Sequence, residues 1–203
     1  MMECFQNALY TNYMCKPNTA KGSGFSQGLV NRRKAEWLLF KTGYYDRIDE
    51  FYEEGSGGDI VTAAATVHDY VYENGYYYSQ GGDLPGNINE VKNTRAICCA
   101  TFVSWTLYES GCDWIADCPN INYCGTLLPF LESHGGTKIM NPTMDMLQAG
   151  DILFYGSGGS AHTDIYIGDG LWYNCGGNDS VQRKDPYAKD LRSDVYCIIR
   201  FEK

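Results

Sequence analysis

The sequence predicts an α+β fold, helices first and an antiparallel sheet afterwards. Two patterns predict it. Apolar residues recur at helical spacing from about residue 59 to residue 134, whereas short β-branched and aromatic runs follow Asp151, separated by glycine-rich turns. A third observation bounds the size: 203 residues, 44% apolar and 20% charged, bury one core with an appendage, or two very small domains.

The elements follow in order. Ala35 to Lys41 and Tyr45 to Glu54 read as two short helices split at Gly43, with too little apolar surface to fold alone. Gly55-Ser56-Gly57-Gly58 marks the boundary, giving an N-terminal helical extension or cap over 1–58 and a main domain over 59–203. Asp59 caps a helix running to about Glu73, with Ile60, Ala64, Val67 and Val71 on one face and Asn74-Gly75 stopping it. His68 on that helix reads as a surface or satisfied core residue rather than a catalyst. An irregular stretch reaches Thr94. A second helix covers Ile97 to Ser110, with Gly111 as its left-handed cap, and a shorter one covers Gly125 to His134, interrupted by Pro129. Residues 151–155, 162–168, 171–175 and 195–201 then read as strands.

Charge and composition exclude several classes. Sixteen Lys and Arg stand against 25 Asp and Glu, a net charge of −9, which leaves no basic footprint for nucleic acid. No apolar run reaches the length of a membrane-spanning helix, and the first twenty residues do not read as a secretory signal. The nine cysteines permit disulfides without demanding them. No C-x2-C pair exists, and Cys112-x5-Cys118-x5-Cys124 is not a usual ligand spacing, so no metal site is expected.

Three features converge on chemistry. Cys98 and Cys99 open the helix Ile97 to Ser110, where the helix dipole and free N–H groups favour a thiolate and can hold an oxyanion. Cys99 lies three and four residues before the apolar Phe102 and Val103, on the side facing the core; Cys98 is turned about 100° away. Cys99 is therefore the candidate nucleophile and Cys98 a packing or disulfide residue. His162 opens a strand beside the turn Gly156 to Ser160, accessible as a general base. With a three-residue turn over Gly168 to Gly170, Ile167 pairs with Leu171 and Asn174 faces Asp164, diagonal to His162. A two-residue turn would move Asn174 to the other face. Asn174 is the candidate for orienting the imidazole, and Asp164, on the same face, is its rival.

These residues resemble motifs of the NlpC/P60 family of papain-like cysteine peptidases. Cys99-Ala100-Thr101-Phe102-Val103-Ser104-Trp105 is similar to the family's D-C-S-G-F-V-x-Y/W element. Residues 147–155 (LQAGDILFY) resemble L-x-P-G-D-L-V-F-F, and 162–170 (HTDIYIGDG) resemble H-V-G-I-Y-I-G-N-G. Tyr78-Ser79-Gln80-Gly81-Gly82 is similar to Y-V-W-G-G, whose tyrosine lines the active site. Asn174 stands about twelve positions after the histidine, where the family keeps its third catalytic residue. The motifs fall in family order across residues 59–201 and are also compatible with the related CHAP-type amidases. At position 98, Cys replaces the usual Asp, which removes a group that binds a free substrate amine in some members.

The resemblance implies a helical half carrying the nucleophile Cys99, packed on a sheet carrying His162 and Asn174. It implies hydrolysis of peptide bonds in bacterial peptidoglycan stems without a cofactor, with Tyr78, Asp164 and Trp172 as substrate contacts. An acidic chain lacking a secretion signal fits a phage-type lysin or a specially exported enzyme. Two other functions keep the fold: a non-catalytic wall- or sugar-binding module using the tyrosines from Tyr70 to Tyr78, and a thiol hydrolase acting on a protein or lipid acyl substrate.

Overall fold

The computed structural model describes residues 60–183 and 185–201. The helices expected over 35–41 and 45–54, the cap at Asp59 and the boundary at 55–58 lie outside the described residues.

Helix α1, Ile60–Glu73, buries Ile60, Ala64, Val67 and Val71, the predicted stripe. It stops at Gly75, whose φ of 64° suits glycine. His68 shares the buried face, its ring 4.7 Å from that of Tyr173. Two short strands follow, β1 (Tyr77–Tyr78) and β2 (Ala96–Ile97), paired in parallel so that Tyr78 lies opposite Ile97. Chain expected to open the second helix is therefore extended, and helix α2 begins at Cys99 and ends at Glu109. Every residue from Cys99 to Leu107 is buried. Two of its polar residues find partners inside: Thr101 Oγ1 donates to Asn122 Oδ1 at 2.7 Å, and Ser104 donates to the Ile121 carbonyl at 3.3 Å. Helix α3, Cys124–Ser133, tolerates Pro129 and sends Leu127, Leu128 and Leu131 into the same core.

The sheet has strand order β3-β8-β4-β5-β6-β7, all neighbours antiparallel. Its strands are β3 (Thr137–Met140), β4 (Ile152–Tyr155), β5 (His162–Gly168), β6 (Leu171–Tyr173), β7 (Tyr187–Ala188) and β8 (Val195–Arg200). A one-turn helix, α4 (Asn178–Val181), lies between β6 and β7. Strands β3 and β7, at the two edges, had no sequence signal, being short and only partly buried.

Side-chain alternation gives the sheet two buried faces. Ile152, Phe154, Ile165, Tyr173 and Ile199 join the helices in the larger core, while Leu153, Tyr155, Tyr166, Trp172 and Ile198 form a smaller core on the opposite face. One ion pair staples the entry of β4 to β8: Arg200 donates twice to Asp151, at 2.8 Å each. Asp151 also accepts from the Gln148 N–H, so this buried carboxylate is satisfied.

The β5–β6 hairpin differs from expectation at its tip. Gly168, not Ile167, pairs with Leu171, and the turn is the two residues Asp169-Gly170, both at positive φ (53° and 69°). Such a turn alone would flip Asn174 to the other face. A bulge between Tyr166 and Gly168 absorbs the extra residue, so Tyr166 pairs with Trp172 and Ile165 with Tyr173 in the expected register.

Candidate active site

Cys99 reaches the site as the first residue of α2, placed by the β1–β2 pairing immediately before it. It is 8% exposed, and its Sγ lies 3.8 Å from Cys124 Sγ, at the first residue of α3. The neighbouring Cys98 turns elsewhere: its sulfur meets Thr101 Oγ1 at 3.1 Å and the Asn122 carbonyl at 3.4 Å. A hydrogen bond with Cys99 and burial push the Cys98 thiol well up, which disfavours its thiolate. The seven cysteines among the described residues are all free thiols, which removes the disulfide expected as one option for Cys98.

His162 opens β5 opposite Tyr155, its ring stacked 5.7 Å away. Its Nε2 lies 2.6 Å from Asp164 Oδ1. As a donor there, Nε2 carries the proton and leaves Nδ1 as the ring's remaining base. Burial works against the imidazolium, yet the Asp164 bond and the Cys99 side chain outweigh it and raise the pKa above its ordinary 6.5. The backbone at Gly176 lies against this ring; a Cβ there would stand 2.4 Å from His162 Cε1. Only glycine leaves the imidazole its place.

Asp164 is wholly enclosed on the face away from the helices. Its Oδ1 accepts from His162 and from Asn174 Nδ2, the latter at 2.6 Å, and its Oδ2 accepts from Lys189. Burial opposes its charge, but the bond and charge of His162 and the Lys189 ammonium hold the carboxyl below its usual range. Asn174 Nδ2 also donates to the Tyr187 hydroxyl and lies 3.4 Å from His162 Nε2. With both nitrogens carrying protons, that last approach is a contact between donors rather than a hydrogen bond. The imidazole's hydrogen bond is thus to Asp164, and Asn174 bonds the same carboxylate oxygen.

Tyr78 stands near the sulfur. Burial first, and then the Cys99 charge, raise its phenol pKa, while its hydroxyl accepts from Gln80 at 2.6 Å. With His162, Asn174, Gly176, Tyr187 and Lys189 it lines a cleft of about 520 Å³. The other two expected substrate contacts do not face this cleft. Asp164 is enclosed by its partners, and Trp172 is fully buried in the smaller core, with its indole N–H on the Lys189 carbonyl at 3.2 Å. Strand alternation puts Trp172 on that face. Of the tyrosine run, Tyr76 is buried and donates to the Val91 carbonyl, while Tyr70 packs edge-on against Trp105. Among the described residues no cluster of three or more His, Cys, Asp or Glu can hold a metal ion.

Sequence reasoning missed Lys189, Tyr187 and Gly176. Tyr187 lies on the edge strand β7 and Lys189 directly after it, and neither carries a motif. Gly176 is signalled only by its closeness to Asn174.

No family model matches the sequence, nor does any curated protein. Solved NlpC/P60 structures are similar to it. The peptidoglycan hydrolase RipB of Mycobacterium tuberculosis shares 17% identity, covering 91% of this chain and 94% of RipB, with a TM-score of 0.42. RipD of the same organism, a non-catalytic NlpC/P60 protein adapted to peptidoglycan binding, shares 16% over 68% of this chain and 96% of its own, with a TM-score of 0.41. A P60 domain from a Mycobacterium avium subspecies paratuberculosis antigen shares 19% over 67% and 94%, with a TM-score of 0.38. The chain's chemistry has to be read from its own residues.

Proposed function

We propose that the protein is a cysteine hydrolase of peptide bonds in bacterial peptidoglycan stems. The observation that carries this reading is the His162 imidazole held by the enclosed Asp164 beside an open cleft, with Cys99 at a helix start near enough to help raise its pKa. A buried structural cysteine needs no imidazole held by a carboxylate. The family motifs around Tyr78, Cys99, Asp151 and His162 supply the substrate class.

On this reading Nδ1 of His162 takes the Cys99 proton, and the imidazolium is balanced by Asp164. The thiolate attacks the scissile carbonyl while the Cys99 backbone N–H, free at the first turn of α2, donates to the oxyanion. His162 returns the proton to the leaving amine, and water then releases the acyl group. Asn174 and Lys189 act on Asp164, as positioning residues; Tyr78 meets the substrate. On this reading residues 59–203 are the catalytic unit and 1–58 an N-terminal extension or cap, and the enzyme reaches the wall after lysis or specialised export.

The test is incubation of the wild type and Cys99→Ala with purified peptidoglycan, followed by mass spectrometry of released fragments. New amino termini produced by the wild type alone support the reading. Cleavage surviving Cys99→Ala sinks the mechanism, and wild-type binding without cleavage makes the chain a wall-binding module.

A further inference from the structure

Cys124 has no task in the hydrolase chemistry, yet its sulfur touches that of Cys99. Both are the first residues of helices longer than two turns, and the two helix starts converge on one point. At 3.8 Å the sulfurs are in van der Waals contact, and side-chain rotation has less than 2 Å to close to reach bonding distance, about 2.05 Å.

The other thiols nearby are poorer partners for Cys99. Cys98 adjoins it in sequence, and adjacent Cα atoms stand about 3.8 Å apart, shorter than the separation an unstrained disulfide spans. Cys175 is sealed at 0% exposure, and burial together with the charges of Cys98 and Cys99 pushes its thiol far up. Cys124 combines direct sulfur contact with a position well separated from Cys99 along the chain.

We propose that Cys99 and Cys124 form an oxidative modification site, with Cys124 as the resolving thiol that protects and switches off the nucleophile. The inference rests on the hydrolase reading for its choice of Cys99 as the reactive sulfur. The oxidant is hydrogen peroxide. The Cys99 thiolate attacks the O–O bond and takes one oxygen, becoming a sulfenic acid and releasing hydroxide, which the displaced thiol proton neutralises. The Cys124 sulfur then attacks the sulfenic sulfur. An S–S bond forms, the S–O bond breaks, and the hydroxyl leaves as water with the Cys124 proton. The two sulfurs lose two electrons and the peroxide is reduced to water. The bond ties up the Cys99 sulfur, and a dithiol frees it again.

The freshly reduced full-length chain is treated with stoichiometric hydrogen peroxide, alkylated and digested with chymotrypsin, which separates the two cysteines at Phe102 and Tyr123. A Cys99–Cys124 cross-link is expected in the wild type and in Cys98→Ser, reversed by dithiothreitol. In Cys124→Ala, Cys99 gains two oxygens as sulfinic acid, and dithiothreitol no longer recovers the peroxide-treated activity. A cross-link from Cys99 to Cys98 or Cys175, or sulfinic acid on wild-type Cys99 without any cross-link, overturns the proposal. The cross-link is read by mass, independently of turnover. A chain that forms it but cleaves nothing when reduced supports this site and removes the hydrolase reading; cleavage through Cys99 without the cross-link does the reverse.

Discussion

Asp164 keeps its charge in an enclosed site because three donors surround it, one of them the Lys189 ammonium and another the His162 imidazole N–H. Replacing it by Asn keeps the shape and removes the charge that steadies an imidazolium. We expect Asp164→Asn to lower kcat/KM by about 100- to 10,000-fold, with His162 titrating lower than in the wild type. Asn174→Ala loses one bond to a charged group and leaves the His162–Asp164 contact in place; about ten- to a hundredfold is expected. Steady-state kinetics on the pair decides between them, and the reverse ranking would return the orienting role to Asn174. At Gly176 the added methyl of alanine meets the His162 ring at 2.4 Å, so the ring has to move. Gly176→Ala should cost about a hundredfold in kcat with little change in melting temperature. A near-normal rate would show that the ring's position is not critical.

Elements carry the site only in the right register, and here the sequence was partly legible. The helix stripe of α1 and the strands β4, β5 and β8 follow from spacing alone, since each buries a face large enough to enforce a period. The candidate sulfur, the imidazole and their neighbours Asp164 and Asn174 could be named from position. What could not be read was which polar group the imidazole bonds, because Asp164 and Asn174 differ by hydrogen-bond geometry rather than by pattern. The hairpin end also escaped: Asp169-Gly170 is a two-residue turn signal, and nothing local announces that a bulge will undo its shift. Lys189 lies twenty-five residues from the carboxylate it meets, beyond any local rule. The staple at the sheet entry is a further element-scale feature. Arg200→Ala leaves the Asp151 carboxylate buried with only the Gln148 N–H as partner. A loss of about 2–4 kcal/mol in urea unfolding is expected, and less than 1 kcal/mol would mean that water replaces the guanidinium.

For the whole molecule, the same charges set the pH range of stability. His162 titrates above its ordinary 6.5, so its contribution is complete below that value and fades as pH rises through the raised folded value. Asp164 titrates below its ordinary 3.8, so its contribution is complete above that value and is lost as pH falls through the depressed one. The pair therefore stabilises most between those two ordinary values. Urea unfolding from pH 3 to 9 should show both limbs, and Asp164→Asn should flatten both; a wild-type profile unchanged by that substitution would remove the coupling. The chain has three histidines, so proton NMR can follow His162 directly. The site also draws on chain from Tyr78 to Lys189. During synthesis the sulfur leaves the ribosome some ninety residues ahead of the ammonium that completes its charge arrangement. On the proposed hydrolase reading, a nascent chain thus carries the sulfur well before the groups that would make it reactive.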